Sequence, residues 1–583
     1  MKVIDSGKGY LPDHSRRRFI QGLAAGGLLV AAGPRFSTAV AGQPVTSAPV
    51  LHGPEFDLTV TEMPVNFTGQ IRTATAINQS IPAPTLRMRE GETVTLRVTN
   101  RLNVPTSIHW HGLILPYQMD GVPGVSFSGI APGQTFTYRF QVQQAGTYWY
   151  HSHSGFQEQT GMYGAIIIDP ARKSIQADKD YVVLLSDWTD EDPSSVFAKL
   201  KTQGDYYNFN LPTVGGFVSD VSQFGFSAAL QKRRMWNQMR MSPVDLSDIS
   251  AYTYTYLMNG STPAGNWTGL FRRGDKVRLR FISGGTQSYF DVRIPGLKMT
   301  VIHVDGQDIE PVTVDEFRCG PGETYDVIVQ PKDDAYTIFA QSMDRTGYAR
   351  GTLAVKSGLS APVPELDQQI WLEMTDMMGA MDHSAGEGTM GSNPGNHMHH
   401  NNPNPAGKKP VRVRHAKTEY GPSVDMRVDS PRTNLDDPGI GLRNNGRKVL
   451  TYADIRSVDS VKDKRKPERD VELHLTGNME RYTWSIDGLE FGRSTPIHFR
   501  HRERLRVILH NDTMMTHPMH LHGMWSELED SEGNFLARRH TLSVQPAQRI
   551  SFLVTADAIG RWAWHCHLLY HMDAGMFREV VVA

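Results

Sequence analysis

The sequence predicts an all-β protein that contains three copies of one β-sandwich domain, and two observations support this prediction. From about residue 55 the chain consists of short segments that alternate apolar and polar residues and end at Pro and Gly turns, which is typical of strands. The first part of the chain also recurs in the last part with matched spacings. Self-similarity of this kind indicates a repeated structural unit.

The repeat is defined by prolines, asparagines and histidines at fixed distances. Pro132 precedes His151 by 19 residues, and Pro546 precedes His565 by the same number. In each part an asparagine stands nine residues before a His-x-His-Gly sequence. The turn Pro321-Gly322-Glu323, which is followed by another apolar strand, marks a third copy that lacks the histidines. The repeat therefore predicts three sandwiches, with histidine pairs in the first and the last.

The strands follow in order along each copy. In the first domain we expect strands at 56–60, 94–99, 136–142 and 146–150, with a closing strand at 166–169; in the second we expect 325–329. The predicted limits are 42–172 for the first domain, 173–368 for the second and 413–583 for the third. Residues 188–250 exceed the length of a sandwich loop and predict an insertion with some helix. Residues 411–470 are mixed in composition and charged, and the sequence does not show whether they are ordered.

Residues 369–412 interrupt the β pattern and predict a flexible, low-complexity linker before the third domain. Gly, Asn and Pro separate its many methionines and histidines, which are Met374, Met377, Met378, Met381, Met390, Met398, His383, His397, His399 and His400.

The N-terminal 41 residues resemble an export signal. Ser15-Arg16-Arg17-Arg18-Phe19-Ile20 is a twin-arginine motif, and an apolar run at 22–33 follows it. Ala39-Val40-Ala41 offers a small-residue cleavage site, so we expect the mature chain to begin at Gly42. The alternative is a membrane anchor, but the apolar run is too short to span a bilayer. The signal predicts a periplasmic protein that is exported folded, often with its cofactor.

Composition excludes several classes of partner. The net charge of −1 gives no electrostatic reason to expect binding to nucleic acid or to an anionic membrane. The two cysteines are Cys319 and Cys566. If Cys566 binds a metal, no intrachain disulfide is expected, and Cys319 is then a small buried apolar residue rather than a reactive thiol.

The segment from His565 to Met576 carries the strongest chemical signal. Side chains alternate along a strand, so Cys566 points to one face while His565 and His567 point to the other. Cys566, His571, Met576 and a further histidine would form a His₂Cys site with a weak axial thioether, which is the ligand set of blue copper. The alternative is a buried cysteine among chance histidines. The pattern predicts one metal on each side of the strand.

Further histidines occur in His-x-His pairs, and this spacing places both side chains on the same face of a strand. The four clusters are His109 and His111; His151 and His153; His517, His520 and His522; and the segment His565, Cys566, His567, His571 and Met576. When His517, Cys566, His571 and Met576 are assigned to the blue site, eight histidines remain, which suits a trinuclear copper centre. Any one pair alone could be structural. All four clusters, spaced symmetrically, favour metal binding.

These four clusters resemble the copper signatures of the multicopper oxidases. The twin-arginine signal, the length and the Met/His-rich segment are similar to the copper resistance protein A branch of that family. The resemblance covers residues 45–583 and implies three cupredoxin-like Greek-key domains, with a trinuclear cluster between the first and third. It implies four copper ions: type 1 on His517, Cys566, His571 and Met576; type 2 on His109 and His520; and the type 3 pair on His111, His151, His153, His522, His565 and His567.

The resemblance also implies a mechanism. A reductant gives single electrons to type 1 copper, and Cys566 passes them through His565 and His567 to the cluster, where four electrons reduce O₂ to two waters. Asp120 resembles the family carboxylate that relays protons; the alternative is a turn aspartate before glycine. Met576 as the axial ligand suggests a low type 1 potential and an easily oxidised donor.

The methionines suggest that this donor is Cu(I), because thioethers are soft ligands. The Met/His-rich linker is expected to hold additional Cu(I), together with methionines near the type 1 ligands, which are Met514, Met515, Met519, Met524 and Met572. The linker could instead be a solvated tether. In cuprous-oxidase relatives an acidic residue occupies the position of Met572. If that acid helps to accept electrons or protons there, the route of electrons or protons in this protein must differ.

Cu(I) oxidation in copper resistance is therefore the predicted function, with O₂ as co-substrate and other periplasmic copper-resistance proteins as potential partners. Two alternatives are a laccase-like phenol oxidase and a copper-sequestering protein with incidental oxidase activity. A copper nitrite reductase fits less well, because it needs no complete second pair of type 3 histidines.

Overall fold

The computed structural model of the protein describes residues 48–171, 175–209, 213–239, 244, 246–373, 376–377, 379 and 413–583. Within these residues the strands form six sheets, and the sheets pair in the order of the chain. The predicted twin-arginine signal and most of the Met/His-rich linker lie outside the described residues. No helix within the described part of the chain is both long and apolar enough to cross a membrane.

The first pair of sheets packs around one apolar core. One sheet has the strand order β1-β4-β9-β8-β6 and the other β3-β2-β5-β7. Both sheets contribute to the core, for example through Leu86 and Ile166 from the first and Phe56 and Leu96 from the second. The strands are β1 (Val50–His52), β2 (Glu55–Val65), β3 (Arg72–Ile77), β4 (Ala83–Arg89), β5 (Thr93–Asn100), β6 (His109–His111), β7 (Thr135–Gln141), β8 (Gly146–His151) and β9 (Tyr163–Asp169).

The second pair of sheets repeats this arrangement. The strands are β10 (Lys179–Trp188), β11 (Thr255–Met258), β12 (Trp267–Leu270), β13 (Val277–Ser283), β14 (Phe290–Arg293), β15 (Met299–Val304), β16 (Gln307–Val314), β17 (Glu316–Cys319), β18 (Thr324–Val329), β19 (Ala335–Ser342) and β20 (Tyr348–Ala354). They form sheets of order β11-β10-β13-β18-β15-β16 and β12-β20-β19-β14-β17. Cys319 is buried in β17, and burial raises the pKa of its thiol, as expected for a small apolar residue rather than a reactive one.

The third pair contains β21 (Arg469–Asn478), β22 (Thr483–Ile486), β23 (Ile497–Phe499), β24 (Arg504–Asn511), β25 (His517–Leu521), β26 (Ser526–Glu529), β27 (Phe535–Arg539), β28 (Thr541–Val544), β29 (Arg549–Thr555), β30 (Gly560–Cys566) and β31 (Phe577–Val582). The sheet orders are β22-β21-β24-β29-β26-β27 and β23-β31-β30-β25-β28. One continuous core joins the second and third pairs. The predicted all-β architecture of three sandwiches is confirmed.

The sequence repeat corresponds to equivalent hydrogen bonds in the first and third pairs. The side-chain amide of Asn100, at the end of β5, donates to the carbonyl oxygens of Val104 at 2.9 Å and Ile130 at 2.8 Å. Asn511, at the end of β24, donates in the same way to Met515 at 2.7 Å and to a carbonyl in β28 at 2.8 Å. Each asparagine therefore fixes the loop that leads into a histidine-bearing strand, which explains its constant distance from the histidines.

The insertion in the second domain contains helices, as predicted. They are α1 (Pro193–Thr202), α2 (Val214–Phe224) and α3 (Phe226–Met239), and a short α4 (Leu569–Asp573) lies in the third domain. Asp192 precedes helix α1, and its side chain accepts a hydrogen bond from the backbone N–H of Ser195 and caps the helix. It buries Val196 and Leu200. The helix therefore packs against the body of the protein.

The segment before the third pair of sheets differs in part from the predicted flexible linker. Met377 belongs to the hydrophobic core and is 1% exposed. Its neighbour Asp376 forms an ion pair with Arg443. The other methionines and all four histidines of the predicted linker lie outside the described residues. Residues 413–468, for which the sequence alone predicts no definite structure, are irregular and contain short 3₁₀ helices at Lys417–Tyr420 and Tyr452–Asp454.

Candidate metal centres

Two strand pairs bring eight histidines together between the first and third pairs of sheets. Strand β6 pairs with β8 so that His109 lies opposite His151. Strand β25 pairs with β30 so that His520 lies opposite His565. The two pairs meet face to face, with the rings of His109 and His522 stacked at 4.0 Å. The two halves of the repeat therefore form one histidine cluster, as the sequence predicts.

The cluster contains three groups of ligand atoms, each within 4.8 Å of one another. One group is His111, His151 and His567; a second is His153, His522 and His565; a third is His109, His520 and His522. All eight predicted histidines are thus in the cluster. Each of the first two groups draws on both the first and the third sandwich, so the cluster forms only when these sandwiches pack together.

Hydrogen bonds behind the rings determine which nitrogen faces the cluster. On four rings Nδ1 contacts an oxygen outside the cluster: His109 with the Asp120 carbonyl at 2.7 Å, His151 with Glu158 at 2.6 Å, His520 with the His540 carbonyl at 2.6 Å, and His522 with the Asp120 carboxylate at 2.9 Å. An oxygen acceptor at Nδ1 favours the tautomer that keeps the proton there and leaves Nε2 with a free lone pair.

The inward-facing nitrogens fit a metal. In the described residues Nε2 of His109, His151 and His520 is buried without a hydrogen-bond partner, and so is Nε2 of His153 and His567. Burial lowers the pKa of His111 and of His153 well below the usual value, and the neighbouring rings lower it further. Neutral imidazoles with free lone pairs are good ligands for copper. The donor set therefore fits the copper ions that the sequence predicts.

A second group lies on the other face of β30. Sγ of Cys566 is 3.5 Å from Nδ1 of His517 and 3.9 Å from Nδ1 of His571, and the two nitrogens are 3.3 Å apart. The point equidistant from these atoms is about 2.1 Å from each, which matches ordinary metal–ligand bonds of about 2.0–2.3 Å. Burial raises the pKa of the Cys566 thiol, so a thiolate here requires a cation. The three side chains fit one metal ion.

The tautomers of this second group are the reverse of those in the cluster. Nε2 of His517 contacts the hydroxyl of Thr513 at 2.7 Å, and Nε2 of His571 contacts the carboxylate of Asp248 at 2.8 Å. In both rings Nδ1 is therefore the nitrogen that faces Cys566. Trp484 stacks on His571 at 3.8 Å and keeps its ring plane in place.

Met576 is fully buried beside this group. Its backbone N–H donates to the carbonyl oxygen of His571 at 3.0 Å, and its carbonyl oxygen accepts from the N–H of Cys566 at 3.1 Å. These two bonds tie Met576 to two of the three converging ligands, which is consistent with the predicted axial position.

Strand β30 connects the two groups. Cys566 belongs to the three-residue group, whereas His565 and His567 belong to the eight-histidine cluster. This arrangement follows from the alternation of side chains along a strand. Two metal groups therefore share one short covalent path through neighbouring residues.

Asp120 lies at the edge of the histidine cluster. It is 1% exposed, and its Oδ2 is 2.9 Å from Nδ1 of His522. Its Oδ1 is 3.3 Å from Nδ1 of His109. The carboxylate therefore contacts rings from both sandwiches.

Three residues of the site carry no signal in the sequence. His540 forms a further group with His111 and His520. Glu158 contacts Nδ1 of His151, and Asp248 contacts His571. Their positions bear no fixed spacing to the ligands in the repeat. Asp248 lies near the end of the insertion at 188–250, and it is 323 positions from His571 along the chain, so only the packed structure brings them together.

The third copy of the repeat also contributes to the site. A Cβ atom at Gly322, in the turn before β18, would lie 2.9 Å from Cδ2 of His567 and 3.1 Å from Nε2 of His111. Gly322 has a φ of +84°, which also favours glycine. The middle sandwich therefore covers the histidine cluster with a turn that has no room for a side chain.

The methionines near the second group differ from the prediction. Met514, Met515, Met519 and Met524 are all at most 3% exposed and belong to the hydrophobic core. They offer no exposed thioether for the capture of Cu(I). Met572 alone is half-buried, where it packs against a small apolar cluster.

Comparison with known proteins agrees with these groups. Family models described as multicopper oxidase match residues 59–173, 179–358 and 464–583. The chain is 55% identical to copper resistance protein A of Escherichia coli, with 97% of this chain and 99% of that protein covered. It is 54% identical, with the same coverage, to copper resistance protein A of Pseudomonas syringae pv. tomato.

Solved structures show the same fold at lower identity. The laccase from Botrytis aclada is similar with a TM-score of 0.61 and 21% identity, over 92% of this chain and 88% of that one. Taken with the family models, which together cover more than half of the residues, these similarities assign the chain. It belongs to the multicopper oxidase family.

Proposed function

We propose that this protein is a periplasmic oxidase that couples the one-electron oxidation of Cu(I) to Cu(II) with the four-electron reduction of O₂ to water, and that it serves copper resistance. The observation that carries this proposal is strand β30, which places Cys566 in one metal group and His565 and His567 in the other. Two metal groups joined in this way suit an enzyme that takes up electrons at one site and uses them at another.

In this proposal four copper ions occupy the two groups. His517, Cys566, His571 and Met576 hold type 1 copper; His109 and His520 hold type 2; His111, His151, His153, His522, His565 and His567 hold the type 3 pair. Bound copper supplies one-electron redox chemistry at the first group and the reduction of O₂ at the second. Additional Cu(I) would bind to the Met/His-rich linker.

The protein's own residues orient these ligands and manage protons. Asp248 and Thr513 hold the rings of His571 and His517 with Nδ1 toward Cys566. Reduction of O₂ to water consumes protons, and the Asp120 carboxylate, which contacts Nδ1 of His522, can hold one there. Glu158 contacts Nδ1 of His151, and burial raises the pKa of its carboxyl well above the usual range.

Cu(I) as the substrate is supported by the surroundings of His571. This ring is fully buried, and its outward nitrogen bonds to the carboxylate of Asp248, which is 6% exposed. A buried carboxylate next to the electron-accepting group attracts a cation electrostatically. Met572, which is half-buried, occupies the position that is acidic in cuprous-oxidase relatives. In this protein Asp248 would therefore supply the acidic group near the centre.

The proposal is tested by copper content, visible absorption and EPR on the purified protein, together with O₂ uptake with Cu(I) and with a phenol. Four coppers, a strong blue band, a type 2 EPR signal and faster uptake with Cu(I) are expected. A blue protein that consumes no O₂ would be an electron-transfer or storage protein and would refute the oxidase proposal.

Deletion of residues 381–400, which keeps the buried Met377 and the ion-paired Asp376, separates Cu(I) oxidation from its alternatives. Loss of Cu(I) turnover with a gain of phenol turnover supports a cuprous oxidase whose linker delivers copper. Unchanged Cu(I) turnover with faster phenol turnover indicates a laccase-like enzyme. Copper tolerance that survives Cys566→Ser, with many more than four coppers bound per chain, indicates sequestration.

The periplasmic location is supported by the twin-arginine motif, and it has its own test. Arg16→Lys with Arg17→Lys keeps the charge and removes the paired guanidinium groups. Cell fractionation is expected to find the wild-type protein in the periplasm and the double variant in the cytoplasm. Equal periplasmic amounts would contradict export by this route.

A further inference from the structure

A second cluster of metal-ligating side chains lies in the third sandwich, outside both copper groups. It contains His415, Glu419, His474 and Asp512, whose side chains are between 0% and 5% exposed. His474 is in β21, Asp512 follows β24, and Glu419 is in the 3₁₀ helix at Lys417–Tyr420. Neither the repeat nor the copper chemistry accounts for this group.

Four donor atoms converge in this cluster. Nδ1 of His415 is 2.7 Å from Oε2 of Glu419 and 3.6 Å from Oδ2 of Asp512. Nδ1 of His474 is 2.7 Å from Oδ2 of Asp512 and 3.4 Å from Oε2 of Glu419. Donors bound to one ion at about 2.0 Å in a tetrahedron lie about 3.3 Å apart, and the measured separations bracket that value.

Backbone N–H groups orient both carboxylates toward the cluster. Oε1 of Glu419 accepts the N–H of Ala416 at 3.0 Å, which leaves Oε2 for the cluster. Oδ1 of Asp512 accepts the N–H of Val428 at 2.9 Å, which leaves Oδ2 for the cluster. Each carboxylate thus uses one oxygen as an anchor and presents the other, as ligating carboxylates commonly do.

The negative charge of the two carboxylates in the cluster is compatible with a bound cation. Among the described residues neither carboxylate has an arginine or lysine within ion-pair distance; the ion partners of Glu419 and Asp512 are the two histidines. Arg427 donates a hydrogen bond to the backbone carbonyl of Glu419 and forms no ion pair with its carboxylate. Two buried carboxylates are costly unless their charge is balanced. Two protonated histidines balance it in the metal-free protein, and one divalent ion with two neutral imidazoles balances it equally well.

We propose that His415, Glu419, His474 and Asp512 bind one divalent first-row transition ion, separate from the oxidase coppers. Two imidazoles and two carboxylates, with no sulfur among the donors, select a divalent ion over Cu(I). In the general affinity order Cu(II) binds such a set most tightly, and Zn(II) binds more weakly than Cu(II). The site is independent of the proposed oxidase chemistry.

This ion would stabilise the start of the third domain. It ties the chain at His415 and Glu419, just after the Met/His-rich segment, to β21 and to the end of β24. Asp512 is followed by Thr513, whose hydroxyl contacts Nε2 of His517. An ion on Asp512 therefore also fixes the loop that orients one ligand of the second group.

The test measures metal per chain in the full-length, copper-loaded enzyme after equilibrium dialysis against Cu(II) and, separately, against Zn(II). His415→Gln is expected to bind one equivalent less than the wild type. Glu472→Gln is the matched control, because Glu472 contacts the neighbouring His510 and is no part of the cluster; it is expected to bind as the wild type does. The blue absorption band reports whether each variant is folded and loaded.

If His415→Gln does not fold, Glu419→Gln takes its place in the same comparison. As a second readout, Zn(II) is expected to raise the thermal unfolding midpoint of the wild type and of Glu472→Gln more than that of the cluster variant. Equal metal content and an equal Zn(II) effect in all variants would overturn the proposal and leave a network of histidine–carboxylate hydrogen bonds. Loss of Cu(I) oxidation alone would bear on the oxidase proposal and not on this site.

Discussion

The substitution Asp248→Asn tests how the protein sets the properties of the Cys566 group. Asp248 is 6% exposed and accepts hydrogen bonds from Nε2 of His571 and from the hydroxyl of Tyr482, each at 2.8 Å. Asparagine has nearly the same shape and removes the negative charge. Because that charge stabilises the oxidised, more positive metal, its loss is expected to raise the reduction potential of type 1 copper.

The magnitude follows from the distance across the imidazole ring. The carboxylate lies about 7 Å from the point where the three ligand atoms converge, which at an effective dielectric constant of about 20 corresponds to about 2 kcal/mol. For a one-electron couple this is a rise of about 100 mV. The matched control Tyr482→Phe removes a hydrogen-bond donor from Asp248 but no charge. Without the tyrosine hydroxyl, the Asp248 carboxylate interacts more strongly with His571. The Tyr482→Phe substitution is therefore expected to lower the reduction potential by about 20 mV.

The assay is a redox titration that follows the blue absorption band of each purified variant. It reads the potential directly and does not depend on the rate of turnover. An unchanged or lower potential in Asp248→Asn would show that the carboxylate does not act on this centre, and the reasoning from the His571 contact would be wrong.

Three further predictions concern the cluster. Asp120→Asn keeps the contact with His522 but cannot hold a proton, so O₂ uptake is expected to fall about 100-fold with the blue band unchanged; an unchanged rate would make Asp120 a structural residue. Gly322→Ala places a Cβ 2.9 Å from His567 at a φ of +84° and is expected to lower the free energy of unfolding by about 1–3 kcal/mol, measured with urea; equal stability would contradict the close approach. Burial lowers the pKa of His540 to about 4, below its unfolded value of about 6.5, so this group stabilises the copper-free protein above pH 6.5 and loses up to about 3 kcal/mol as the pH falls to 4. His540→Gln is expected to reduce that loss, and an identical pH dependence would refute the assignment.

Much of the fold could be predicted because the repeat has local causes. The asparagine before each His-x-His pair hydrogen-bonds the loop that enters the histidine strand, so its spacing to the histidines is constrained in both halves. The strands themselves follow from alternation and from Pro and Gly turns. The sequence also placed the helical insertion correctly, since its length exceeded that of a sandwich loop.

The residues that converge in the two groups could be predicted for a similar reason, whereas the residues behind them could not. Alternation along β30 alone separates Cys566 from His565 and His567. Asp248, by contrast, approaches His571 across 323 residues of chain, and no local pattern encodes that contact.

The role of the methionines could not be decided from the sequence. A thioether suits both Cu(I) and an apolar core, so Met519 and Met377 could not be distinguished from copper-binding residues until their burial was known.

The stoichiometry of Cu(I) oxidation tests the central claim most directly. Purified, copper-loaded enzyme is supplied with Cu(I) as a labile complex, and O₂ uptake, hydrogen peroxide and Cu(II) are measured together, with the Cys566→Ser variant as the background. The proposed function predicts four Cu(I) oxidised per O₂, no peroxide, and a rate well above that of Cys566→Ser. Two Cu(I) per O₂ with accumulating peroxide, or a rate equal to that of the variant, would contradict it.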